Sequence, residues 1–169
     1  MISFIESHLI LRALTIFFAG YFEYVVVVSL LGYLLYKNYD RSRRALASGG
    51  AILAALIARF GVVALVRLFY DRARPFESGF VPLITHDPGG SFPSGHAAFF
   101  AALAVYFLLA KQKKMGLFLL AAALLISIGR VGSGIHYWSD VLVGGGIGLA
   151  VAVVVWYLIQ RWNRSREAK

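Results

Sequence analysis

The chain has 169 residues, of which 60% are hydrophobic and 15% charged, with a formal net charge of +9, a mean hydropathy of +0.74 and no cysteine. A soluble domain of this size could not cover so much apolar side chain, so lipid must be the solvent for much of the surface. Disulfides, thiolate nucleophiles and thiolate metal sites are excluded, and continuous apolar runs ending in charge clusters argue against a transmembrane barrel.

The segment from Ile2 to Phe18 mixes Glu6, His8 and Arg12 with Ile, Leu and Phe, which predicts an interfacial amphipathic helix lying on the bilayer. Five apolar stretches follow: about Tyr21 to Tyr36, Gly49 to Phe69, Ser94 to Lys111, Met115 to Gly129 and Val141 to Tyr157. The predicted class is therefore all-α: a polytopic transmembrane helical bundle forming one membrane-embedded domain over residues 1–169. It has five spans, or six if residues 2–18 cross. No cleavable signal is apparent, since no small-residue cleavage site is clear.

Eleven of the 17 Lys and Arg residues fall in three clusters, Lys37 to Arg44, Lys111 to Lys114 and Arg161 to Lys169. With five spans all three lie on one side, taken as cytoplasmic, where anionic lipids rather than nucleic acid are the expected partners. Between the second and third spans, Glu77 to Phe92 carries Pro82, His86 and Asp87-Pro88-Gly89-Gly90, which read as turns in a rim or a plain connector. His86 and His8 read as surface residues. Gly144, Gly145, Gly146 and Gly148 leave one face of the last span nearly bare, a pattern of close helix packing. Tyr70, Phe92, Tyr137 and Trp138 read as an aromatic belt or as the lining of a lipid-tail groove. Glu23 and Arg59, charges inside neighbouring spans, are expected to pair with each other.

Three polar islands remain: Arg67 with Arg74-Pro75, Pro93-Ser94-Gly95-His96, and Arg130 with His136 and Asp140. Counting crossings puts all three on the side opposite the basic clusters. Arginine presents a planar fork of donors that matches phosphate oxygens, and three arginines converging on one spot need an anion among them. Any one of them read singly is a snorkelling interfacial residue; the set beside two histidines is not. Asp140 follows His136 at i+4, so its carboxylate can fix the imidazole tautomer and free the other nitrogen for attack. His96 opens a span after a Pro-Ser-Gly turn, where helix-terminal N–H groups and the Ser94 hydroxyl can cradle an anion and His96 can act as general acid. No His-Glu-x-x-His, acidic-loop or glycine-rich nucleotide pattern is present, so neither a metal nor another cofactor is expected.

These islands resemble the tripartite signature of the type 2 phosphatidic acid phosphatase superfamily of integral membrane lipid phosphatases. That signature is a basic residue, six residues, Arg-Pro; Pro-Ser-Gly-His; and Ser-Arg, five residues, His, three residues, Asp. Arg67 stands where lysine is usual, and Gly129 stands where serine usually precedes the arginine; Ser133 or Ser139 could supply the lost hydroxyl. The resemblance implies a phosphohistidine on His136, oriented by Asp140, with His96 protonating the leaving group. It also implies that Arg67, Arg74, Arg130, Ser94 and Gly95 bind the phosphate, without a metal. The expected activity is hydrolysis of a lipid phosphate or diphosphate at the extracytoplasmic face of a bacterial inner membrane, undecaprenyl diphosphate first. Phosphatidylglycerophosphate, phosphatidic acid and lipid A 1-phosphate are the alternatives, and a non-catalytic phospholipid binder or transporter is the reading of another class.

Overall fold

The computed structural model describes residues 5, 7–35, 41–79, 81–85 and 89–167. Among them the chain forms five helices. Helix α1 runs without a break through Leu9–Ile16, a π turn at Phe17–Tyr21 and Phe22–Leu35. Helix α2 likewise joins Arg41–Leu56, a π turn at Ile57–Val63 and Ala64–Phe69. Helices α3 (Gly95–Leu109), α4 (Lys113–Gly132) and α5 (Trp138–Glu167) follow, and a 3-10 turn at Pro75–Ser78 interrupts the long connection.

Four of these helices are long and apolar enough to cross a membrane, and α3 is a shorter apolar helix of 15 residues. The continuity of α1 corrects the expected division at residue 18. Its apolar window covers Leu9–Tyr33, so the stretch assigned to the bilayer surface is the first part of a helix long enough to cross, with Arg12 within it. The polar residues that suggested a surface helix do not break the backbone, because nothing between Leu9 and Leu35 caps or kinks it beyond the π turn. Glu6, His86 and Asp87-Pro88, together with Lys37 and the side chains of Arg41, Arg43 and Arg44 in the first basic cluster, lie outside the described residues.

Helix α3 is the hub. Ala97, Ala98, Phe100, Ala102, Leu103, Ala104, Tyr106 and Phe107 are all buried, and α2, α4 and α5 pack around it. Gly144 and Gly148 bring the backbone of α5 onto α3. A Cβ on Gly144 would collide with the Ser94 carbonyl and one on Gly148 with the Ala98 carbonyl, whereas Gly145 and Gly146 meet nothing within 4 Å. The glycine-rich face is thus a two-residue seam rather than a four-residue one. Helix α1 lies outermost, against α4, with Ala19 and Val26 as its buried hydrophobic residues.

At one end of the bundle the α3–α4 connection meets α1 and α5: the Tyr33 hydroxyl donates to Gln112 Oε1 at 2.8 Å, and Lys111, Gln112, Gln160 and Asn163 line one cavity. The opposite end carries the heads of α3 and α5 and the tails of α2 and α4. At 1.5 Å per residue α3 is about 22 Å long, shorter than the ~30 Å hydrocarbon layer of a bilayer.

Candidate active site

The chain around Ser94 and Tyr137 is shaped by two helix starts facing each other. Ser94 caps α3 by accepting from the Ala97 N–H at 3.4 Å, and its own N–H donates to the Asp140 carbonyl at 2.9 Å. At the start of α5, Asp140 Oδ2 reaches back to accept the Tyr137 N–H at 2.9 Å, the reciprocal half of a capping box. The two helix heads are therefore joined through Asp140. The connection after α2 is tied to the same place by Phe76 N–H to the Gly134 carbonyl (3.1 Å), Leu83 N–H to the Ser133 carbonyl (3.2 Å) and Ser91 N–H to the Arg72 carbonyl (2.8 Å).

A cavity of about 270 Å³ opens between these elements, lined by Arg59, Phe60, Val63, Ala64, Arg67, Arg74, Gly95, His96 and His136. Arg130, Asp140 and Ser94 are buried at this end of the bundle, exposed by 5%, 0% and 0%. His136 precedes α5 rather than lying on it, so its neighbour relation with Asp140 comes from the tight 133–137 turn and not from helical stacking. His136 Nδ1 stands 3.4 Å from Asp140 Oδ2, long for a hydrogen bond in a site without substrate. That geometry turns Nε2 away from the carboxylate.

The guanidinium groups carry donors without acceptors. Arg67 Nη2 donates to the Pro93 carbonyl at 2.8 Å, and Arg74 Nη1 to the Ile135 carbonyl at 3.0 Å. Among the described residues, Arg67 Nε, Arg74 Nε, and Arg130 Nε and Nη1 are buried with no partner. Arg67 and Arg74 line the cavity and Arg130 is buried at the same end of the bundle, so these four N–H-bearing atoms suit an oxyanion. Burial and the positive charge of Arg67 lower the pKa of Arg74. Burial, reinforced by Arg130 and Arg74 and opposed by Asp140, lowers that of His136 to about 4. His136 is therefore neutral at physiological pH, and a proton kept on Nδ1, facing Asp140, would leave the lone pair on Nε2.

The sequence offers no role for Arg72 and suggests the wrong partner for Glu23 and for Arg59. Arg72 Nη1 donates to Asp140 Oδ1 at 2.9 Å and to Ser139 Oγ at 2.7 Å, and its guanidinium stacks over the Tyr137 ring at 3.9 Å. Glu23 Oε2 lies 2.8 Å from His96 Nε2. The expected Glu23–Arg59 pair is corrected: among the described residues no ion pair joins them, and Arg59 instead lines the cavity. The π turn of α2 explains this. In a regular α-helix, residues eight apart sit about 80° beyond two full turns. The turn at Ile57–Val63 absorbs about one extra residue, which brings Arg59 and Arg67 onto the same face. The two serines considered as substitutes for a hydroxyl at position 129 are engaged elsewhere, Ser133 Oγ donating to the Arg130 carbonyl at 3.1 Å and Ser139 bonding Arg72.

Residues 44–164 match the family model described as PAP2 superfamily. The chain belongs to this superfamily. It is 29% identical over 155 residues to a Bacillus subtilis protein named undecaprenyl-diphosphatase BcrC, covering 91% of this chain and 76% of that one. To the phosphatidylglycerophosphatase B of the same organism it is 35% identical over 114 residues, 61% of this chain and 54% of that one. The crystal structure of Aquifex aeolicus LpxE superposes with a TM-score of 0.69 at 24% identity, covering 88% of this chain and 86% of that one. Family membership and the apolar helices together make this a multi-pass membrane protein of a lipid phosphatase family, and the cavity lies within the matched region.

Proposed function

We propose that the chain is a metal-independent lipid phosphatase whose favoured substrate is undecaprenyl diphosphate, cleaved at the extracytoplasmic face of a bacterial inner membrane. One observation carries the reading: two imidazoles and two partly unsatisfied guanidinium groups, those of Arg67 and Arg74, border a single cavity at the end of the bundle where Arg130 is buried. His136 Nε2 attacks the terminal phosphorus in line. The P–N bond forms as the bond to the leaving oxygen breaks, and His96 gives that oxygen a proton. Water then attacks the phosphohistidine, assisted by the same His96, and inorganic phosphate leaves. Arg67, Arg74 and Arg130, with Ser94 and the Gly95 N–H at the head of α3, hold the equatorial oxygens as charge redistributes. Asp140 orients His136.

The choice of a diphosphate is supported by the similarity to the undecaprenyl-diphosphatase along most of the chain, and by Arg59, a third arginine on the cavity wall beyond Arg67 and Arg74 of the motifs. Release of phosphate by the purified protein from undecaprenyl diphosphate, phosphatidylglycerophosphate, phosphatidic acid and lipid A tests the substrate. His136→Ala tests the chemistry, with loss of hydrolysis expected while the detergent-solubilised protein stays monodisperse. Undiminished turnover by that variant, or none with any of these lipids by the intact protein, would overturn the proposal.

A further inference from the structure

Glu23 lies on α1, outside the residues matched by the family model, yet its carboxylate is in contact with a histidine of the cavity. We propose that Glu23 is a positioning residue for the general acid, holding His96 through Nε2 so that Nδ1 presents a proton to the leaving oxygen. The inference rests on the role given to His96 above.

The geometry is specific. At 2.8 Å the carboxylate oxygen accepts from Nε2, and the two side chains are 29% and 14% exposed, so water competes weakly for either. An imidazole whose Nε2–H is engaged can donate from Nδ1 only as imidazolium. Several guanidinium groups border this site, so a cationic imidazole there requires a counter-charge, and Glu23 is the carboxylate touching it. Asp140 serves His136 in the corresponding way, which gives each imidazole its own acid partner from a different helix.

The placement of α1 is built into the fold as well. At its π turn the backbone presses on α4 where Gly129 has no side chain: a Cβ there would come within 2.7 Å of Ala19 N and 2.9 Å of the Phe18 carbonyl carbon. Phe18 packs edge-on against Phe22 at 5.1 Å between ring centroids, next to Glu23. A glycine on one helix and a π turn on the other thus bring the carboxylate to the head of α3.

Leaving-group dependence tests the assignment. An alkyl phosphate needs a proton on its departing oxygen, whereas 4-nitrophenyl phosphate expels a stable phenolate without one. The assay compares intact protein, Glu23→Gln, Glu23→Ala, His96→Ala and Glu23→Gln/His96→Ala on dioctanoyl phosphatidic acid, hexadecyl phosphate and 4-nitrophenyl phosphate. The readout is kcat/KM, which reports the step that expels the leaving group and not hydrolysis of the phosphohistidine: Glu23→Gln should lower it on the alkyl esters roughly 10- to 100-fold, a part of the 10²- to 10⁴-fold a general acid supplies, with KM within about threefold. It should cost less than about threefold on 4-nitrophenyl phosphate, and the double variant should be no slower than His96→Ala. Equal losses on all esters, no loss on any, or a double variant slower than His96→Ala would overturn the positioning role. If His96→Ala itself loses equally on alkyl and aryl esters, the general-acid reading of His96 fails, and this inference falls with it. The near-isosteric Gln variant, checked for monodispersity, keeps the test independent of any folding defect in Glu23→Ala.

Discussion

Arg72 and Asp140 are joined by a 2.9 Å bond that ties the connection after α2 to the head of α5. Asp140 is fully buried and also accepts the Tyr137 N–H, so its second oxygen is held toward His136 from two directions. A hydrogen bond to a charged group is worth about 1.5–3 kcal/mol, which sets a loss of roughly 10- to 150-fold in kcat for Arg72→Ala, with KM little changed. Arg72→Lys should recover only part of it, because lysine cannot bond Asp140 and Ser139 while stacking on Tyr137. Steady-state kinetics on the best lipid substrate check both.

Acidification should destabilise the protein through His136. Its folded pKa of about 4 lies below the ordinary 6.5, so between these values the unfolded chain binds the extra proton. Stability is fully present above about pH 6.5 and is lost as pH falls toward 4, by about 3 kcal/mol for this group. Thermal unfolding in detergent should show the decline in that window, and His136→Ala should flatten it relative to the parent.

Restoring the serine usual in this family at position 129 should harm this protein. A side chain there meets the α1 backbone at Ala19 and Phe18, an overpacking expected to cost about 1–3 kcal/mol. Gly129→Ser should lower the unfolding temperature and weaken alkyl phosphate hydrolysis more than 4-nitrophenyl phosphate hydrolysis, because α1 carries Glu23. Gly145→Ala, which meets nothing within 4 Å, is the control and should change neither.

Arg59 should distinguish diphosphates from monophosphates. Arg59→Ala should lower kcat/KM for farnesyl diphosphate about 10- to 100-fold, the loss of one charge-assisted contact, and for farnesyl phosphate less than about threefold. Equal losses would assign Arg59 a general electrostatic role instead.

The spacing of the three polar islands was legible in the sequence because each is local: six residues between Arg67 and Arg74, a turn before His96, four residues from His136 to Asp140. Their convergence followed from counting apolar stretches. The partnerships of Glu23 and Arg72 were not legible, since 73 positions separate Glu23 from His96 and 68 separate Arg72 from Asp140. Arg72 did leave a trace, as one more arginine two residues before Arg74. Arg59 was assigned to Glu23 because two charges in neighbouring spans invite pairing; a π turn, which no residue type announces, redirected it. The same kind of turn let α1 continue past a polar segment that read as a separate helix.

The seam at Gly144 and Gly148 has a consequence for how this protein handles different lipids. With backbone touching backbone, the heads of α3 and α5 behave as a single fixed jaw carrying His96 and Asp140. The opposing wall is α2, where Phe60, Val63 and Ala64 line the cavity beside Arg59 and Arg67. In the lipid phosphatase proposed above, substitutions at these apolar positions would be the route by which isoprenoid or acyl chain preference changes, leaving the groups on α3 and α5 where they are.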